Sequence, residues 1–108
     1  MPSAVAFVQL DALLTSKVPG SVNTELQVLF CYENNLTALN LSQNSALYTL
    51  ACNKNNLTEL DVHQNPALQL LWCGKNNLTS LDLSQNTALR NLEDTQNTVR
   101  PQKVQVTY

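Results

Sequence analysis

The chain has little of several things that functional proteins often use. Two glycines in 108 residues leave no glycine-rich loop to cradle a phosphate. Lys and Arg together number six, are scattered, and face eight acidic residues for a net charge of −2. No basic patch for nucleic acid or an anionic membrane results. No run of about 18 apolar residues occurs, the length a spanning helix needs, so no membrane insertion is expected. Met1-Pro2-Ser3-Ala4 lacks the basic stretch, apolar core and cleavage site of a signal peptide. His63 is the one histidine, and no Ser–His–Asp arrangement or zinc-ligand spacing accompanies it. Glu93 and Asp94 are adjacent, so on a strand they face opposite sides and make a poor catalytic pair. Neither an enzymatic activity nor a cofactor is expected.

What the chain has in abundance is repetition. Leu26–Ala46, Leu47–Ala67 and Leu68–Ala88 are three 21-residue copies of L-x-x-L-x-C-x-x-N-N-L-T-x-L-x-[LV]-x-Q-N-x-A. A fixed period in this range marks a solenoid, in which each repeat is one coil and only stacking buries its apolar side. In L-x-x-L-x-C, residues alternate inward and outward as a strand requires, so Leu29 and Cys31 and their equivalents point inward. Parallel strands then stack about 4.8 Å apart. The segment L-T-x-L-x-[LV] supplies further inward residues, such as Leu57, Leu60 and Val62, to close the far wall. The Asn-Asn and Gln-Asn pairs fall where the chain must turn. An inward Asn stacked in register can satisfy backbone groups of adjacent coils.

From Leu26 to Asn97 this pattern resembles bacterial leucine-rich repeat proteins, and among them the internalin J-like class. That class uses 21-residue repeats in which cysteine replaces one inward apolar residue, forming a cysteine ladder. The resemblance implies an α/β-type solenoid, a horseshoe or nearly straight, with parallel strands on the concave side. It also implies an extracellular or cell-surface role in adhesion or binding. Asn40 and His63 depart from the L-D-[LV]-S stretch of the class.

One domain is expected over residues 1–108. Residues 1–25 form an N-terminal cap and partial repeat, 26–88 the three full repeats, and 89–108 a degenerate last coil and C-terminal cap. An open solenoid exposes apolar faces that need such caps. Val5, Val8, Leu10, Leu13 and Leu14 between Ser3 and Lys17 have the spacing of an amphipathic helix, stopped by Val18-Pro19-Gly20. At the other end Asp94 takes the cysteine column, a costly place for a carboxylate unless solvent is near. The 21-residue period aligns Val99 with Leu78 and Val104 with Leu83. Val104, Val106 and Tyr108 alternate with polar residues like a half-buried strand.

Cys31, Cys52 and Cys73 read as free thiols filling the core as small hydrophobes. They form one column with no fourth soft ligand, so no metal site is expected. Asp61, His63 and Asp82 are able to approach one another on the far wall, where a solvated polar face is the better reading. The N-L-T sequons at Asn35, Asn56 and Asn77, and Asn40-Leu41-Ser42, follow from the repeat itself. The Thr37/Thr58/Thr79 column lacks the regular neighbours an ice-binding array needs, since Ala38, Glu59 and Ser80 vary beside it.

Repeat constancy marks scaffold, and variation marks what is free for function. The outward strand columns vary most: Val28, Thr49, Leu70, Asn91; then Phe30, Ala51, Trp72, Glu93; then Tyr32, Asn53, Gly74, Thr95. Four of the six aromatic residues fall on this face, with Phe7 and Tyr108 expected elsewhere. Aromatics among polar neighbours are what binding hot spots use. The expected ligand-binding residues are Phe30, Tyr32, Tyr48, Ala51, Leu70, Trp72, Gly74 and Arg90. A shallow notch is expected over Ala51, between Phe30 and Trp72, about 9.6 Å apart by strand spacing, and continuing to Gly74. The function expected is a binding module taking a protein or glycan on its concave sheet. The alternative is a structural segment of a longer array, including a homo-oligomer formed through the aromatic patch.

Overall fold

The structure is a computed structural model that describes residues 5–7, 24–97 and 105–108. It is a parallel-strand solenoid of about three turns. Five strands form one sheet: β1 (Val5–Phe7), β2 (Val28–Phe30), β3 (Thr49–Ala51), β4 (Leu70–Trp72) and β6 (Asn91–Glu93), in the order β1-β2-β3-β4-β6. On the far wall β5 (Ser80–Asp82) pairs with β7 (Gln105–Thr107). Every pairing is parallel.

Register follows the repeat. Leu29, Leu50, Leu71 and Leu92 stand in line across β2, β3, β4 and β6. The first three are fully buried, and Leu92 is half-buried against the core at the end of the stack. The far wall carries Leu57, Leu60 and Val62 and their equivalents, all buried. Each fully buried leucine contributes about 1.5–3 kcal/mol, which only stacking makes available.

The expected helical cap is not supported. No helix occurs among the described residues, and Val5–Phe7, inside the segment expected to be helical, is strand β1. It lies in register with Val28, Leu29 and Phe30. An outermost β2 would leave one row of amides and carbonyls unpaired, and β1 supplies their partners. The rest of the expected helix, with Val8, Leu10, Leu13 and Leu14, and its stop at Val18-Pro19-Gly20 lie outside the described residues.

The C-terminal end forms a strand as expected, but in a different register. Leu81 pairs with Val106, 25 residues on, rather than 21. Asn97 still keeps the repeat, because its Oδ1 accepts the Leu78 N–H at 3.1 Å. Four extra residues therefore fall between Asn97 and Gln105. They set Asp82 opposite Thr107, whose carbonyl accepts the Leu83 N–H. The expected Val104–Leu83 alignment is thus displaced by four. Val104 and Val99 themselves lie outside the described residues. Val106 is half-buried against the core.

Two asparagine columns hold the coils together. Asn55 Nδ2 donates to the Cys52 carbonyl at 2.9 Å and, one coil back, to the Cys31 carbonyl at 3.1 Å. Its Oδ1 accepts the Leu36 N–H at 3.0 Å. Asn76 repeats the pattern on Cys73, Cys52 and Leu57. Asn97 repeats it on Asp94, Cys73 and Leu78. In the second column, Asn65 Nδ2 donates to the carbonyls of Leu41 and Asn44, and Asn86 Nδ2 to those of Val62 and Asn65. These bonds satisfy buried turn carbonyls that would otherwise be stranded.

One backbone feature recurs without a sequence warning. Glu33, Lys54, Lys75 and Gln96 all have φ between 55° and 60°. This left-handed conformation usually favours Gly or Asn. The inter-coil bonds continue through it: Lys54 N–H donates to the Gly74 carbonyl at 3.0 Å and Lys75 N–H to the Thr95 carbonyl at 2.9 Å.

Candidate functional site

The outer face of the five-stranded sheet carries the aromatic residues. Tyr32, Tyr48 and Trp72 are 43%, 39% and 41% exposed. Phe30 and Leu70 are half-buried, and Arg90 is exposed. Phe30 and Tyr32, two apart on one strand face, set their rings 6.3 Å between centroids at 53°. This is a tilted pair that holds both rings in place. Phe7 was expected elsewhere, but β1 brings it into the register position beside Phe30. Tyr108 is 82% exposed at the far-wall end.

Among the described residues a concavity includes two members of the expected notch, Trp72 and Gly74. Ala51 stands in register between Phe30 and Trp72 but is completely covered. The hollow lies one coil further on, around Gly74, with a volume of about 300 Å³. Trp72, Asn53 and Lys54 line it together with Lys75, Glu93 and Thr95. Three successive coils thus contribute, and Phe30, Tyr32 and Tyr48 do not.

Gly74 makes the hollow possible. A Cβ on residue 74 would stand 2.6 Å from Glu93 Oε1 and 2.8 Å from the Thr95 carbonyl oxygen. The Glu93 carboxylate is folded into this space by two bonds, from the Thr95 N–H at 2.8 Å and the Thr95 hydroxyl at 2.7 Å. Those bonds, with the nearby Lys75 ammonium, hold its carboxyl below the usual carboxylate range. Lys54 Nζ is 3.0 Å from Glu33 Oε1. The hollow therefore combines a partly exposed indole with polar groups of both signs.

The cysteines lie beneath this sheet, away from any solvent path. Cys31, Cys52 and Cys73 are free and 0% exposed. Burial pushes the thiols of Cys31 and Cys73 up to about 12, and that of Cys52 well above its ordinary value. Such thiols are poor nucleophiles. Asp94, next in their column, is half-buried.

With this geometry established, the solved structures supply a comparison. The functional domain of InlJ from Listeria monocytogenes, described as including a cysteine ladder, superposes with a TM-score of 0.72 at 39% identity. The match covers 82% of this chain and 20% of that one. The chain is an internalin J-like repeat protein. Cys31, Cys52 and Cys73 are its cysteine ladder, one rung per coil. No protein-family profile and no curated protein matches the chain. The internalin-like match spans a repeat scaffold, so the resemblance extends over the coils and not over the whole of the longer protein.

The far wall holds a second polar group of side chains. His63 Nδ1 is 2.7 Å from Asp61 Oδ1, and Nε2 is 3.3 Å from Asp82 Oδ2, one coil on. The two carboxylates bond opposite edges of the ring, so the three side chains do not converge on a single point. Among the described residues no set of three acidic, histidine or cysteine side chains is placed to hold a metal ion. The departures from L-D-[LV]-S are conservative in geometry. Asn40 Oδ1 accepts the Ser42 N–H and hydroxyl just as Asp82 Oδ1 accepts those of Ser84. Asp61 Oδ1 takes the His63 N–H, with the imidazole in place of the serine hydroxyl.

Proposed function

We propose that the chain is a binding module of a surface or secreted protein, engaging its ligand with the outer face of the five-stranded sheet. The observation that carries this reading is the exposure of Tyr32, Tyr48 and Trp72, each about two-fifths open, on one face of a stack whose leucine columns are packed inside. Exposed aromatic clusters of this kind are the usual material of recognition surfaces. The surface role draws on the internalin resemblance. The constant columns serve as scaffold and the variable ones as ligand contacts.

The test is an array of extracellular protein ectodomains and glycans probed with the wild-type chain and with Phe30→Ser/Trp72→Ser. The double variant is expected to lose the captured ligand at unchanged melting temperature. Undiminished capture would move the site off this face. A monomer–dimer equilibrium in light scattering that disappears with the double variant would instead assign the patch to self-association.

A further inference from the structure

We infer that the hollow around Gly74 is a saccharide subsite that takes one neutral pyranose ring against the face of Trp72. This rests on the sheet face being a binding surface and names the ligand class.

Three observations converge. First, the volume of about 300 Å³ lies at the small end of the roughly 300–1,000 Å³ range of small-ligand sites. It suits a single ring. A peptide strand would add to a sheet edge and a helix would need a long apolar groove, whereas this hollow is short and sits at the C-terminal ends of β3, β4 and β6. Second, its apolar component is one indole, 41% exposed, and an aromatic plane is what the C–H face of a pyranose stacks on. Third, its polar groups are mixed. Lys75 and Glu93 offer a donor and an acceptor of opposite charge, Lys54 is paired with Glu33, and Thr95 and Asn53 are neutral. A ligand with many hydroxyls and no net charge uses such a wall fully, while a strongly charged one meets a repelling partner on either side. Asn53 adds a fourth point: its Oδ1 is shielded from solvent and has no hydrogen-bond partner, an acceptor at the wall that a hydroxyl can satisfy once the amide turns outward.

Glu93 has a defined part in this. Thr95 anchors Oε1 through two bonds, and Oε2 is left to accept from a ligand hydroxyl. Gly74 keeps the floor open, because any side chain there would take the space that Glu93 and the ring share.

Trp72 is the one tryptophan of the chain, so its emission reads occupancy of the hollow directly. The experiment titrates the full chain with galactose, N-acetylgalactosamine, glucose, N-acetylglucosamine and mannose, with sialic acid and glucosamine as charged counterparts. At least one neutral sugar is expected to change Trp72 emission saturably, and the charged sugars to bind more weakly. By calorimetry, Trp72→Ala is expected to weaken that sugar about tenfold or more and Trp72→Phe to restore part of it. Tyr108→Ser, at the far-wall end and outside the hollow, should bind as wild type does. No saturable change with any sugar up to 50 mM (a concentration of about this order detects even millimolar affinity) overturns the inference, as does binding that survives Trp72→Ala in a folded variant. If the sugars fail while a purified protein ectodomain is captured through Phe30 and Trp72, the saccharide inference falls and the binding-module reading stands. If both fail, both fall.

Discussion

Gly74 and Glu93 are complementary: the space missing a side chain at one is filled by the carboxylate of the other, with a hypothetical Cβ only 2.6 Å from Glu93 Oε1. The second near atom, the Thr95 carbonyl oxygen at 2.8 Å, belongs to the backbone and cannot swing away. Gly74→Ala is therefore expected to cost about 1–3 kcal/mol, the usual range for overpacking. Chemical denaturation checks this. Gly74→Ala/Glu93→Ala should recover only part of the loss, since the Thr95 carbonyl contact remains.

The Asp61–His63–Asp82 chain makes stability depend on pH. The bond to Asp61, and then that to Asp82, raise the His63 pKa above its ordinary value. A raised histidine contributes fully below its unfolded pKa of about 6.5, and the contribution fades as pH rises through the folded value. Asp61 is lowered by the His63 N–H and ring, and Asp82 chiefly by the Ser84 hydroxyl. Their contributions are present above about pH 4 and fade as pH falls through the lowered values. The link between the coils is strongest between these limits. Wild type should lose melting temperature relative to His63→Gln between pH 5.5 and pH 8 (a span of about the width over which a raised histidine titrates). Parallel curves for the two proteins would disprove the link. All three side chains are exposed, so 1 M salt, with a Debye length of about 3 Å, should shrink the difference.

The cysteine ladder is expected to be chemically silent while the protein is folded. Aromatic disulfide reagents should label Cys31, Cys52 and Cys73 only as fast as the chain opens, and all three together in denaturant. Cys52→Ser should destabilise more than Cys52→Ala, because it strands a hydroxyl in an apolar stack at about 1–3 kcal/mol. Equal losses in the two variants would mean that the hydroxyl finds a backbone partner.

Asn76 serves four backbone groups at once, the Cys52, Cys73 and Gly74 carbonyls and the Leu57 N–H. Asn76→Ala should cost more than about 2 kcal/mol, since each buried group left unpaired costs about 1–3 kcal/mol. Asn76→Asp should do similar harm, replacing the donated bonds by repulsion between a carboxylate and three carbonyls. Hydrogen exchange at Leu57 should accelerate in both variants.

The inward residues were legible in the sequence because two periods agree there. Alternation within the strand and the 21-residue repeat both point Leu29 and Cys31 to the interior. The first strand was less legible. Val5-Ala6-Phe7 fits an alternating strand as well as it fits the start of an apolar helix, and the choice is made by the unpaired edge of β2, which is a tertiary fact. The last coil misled through its length, because the four extra residues between Asn97 and Gln105 carry no signature of their own. The concavity was half legible. Gly74 stands out among Tyr32, Asn53 and Thr95 in its column, but a column does not reveal that Glu93 turns back to Thr95, or that Ala51 is roofed over. The left-handed turns at Glu33, Lys54, Lys75 and Gln96 were invisible, since none uses the residue types that normally announce that conformation.

The asparagine column runs in one direction only. Asn55 completes the coil before it, Asn76 completes the next, and Asn97 completes the one after. A chain leaving the ribosome therefore cannot finish a coil from that coil's own residues. The Leu36 N–H waits for Asn55, and the Cys31 carbonyl, already bonded by Asn34, waits for the same side chain for its second bond. Each turn is sealed by its successor, so the array closes from the N-terminal end in the order in which it is made, and its newest turn is always its loosest.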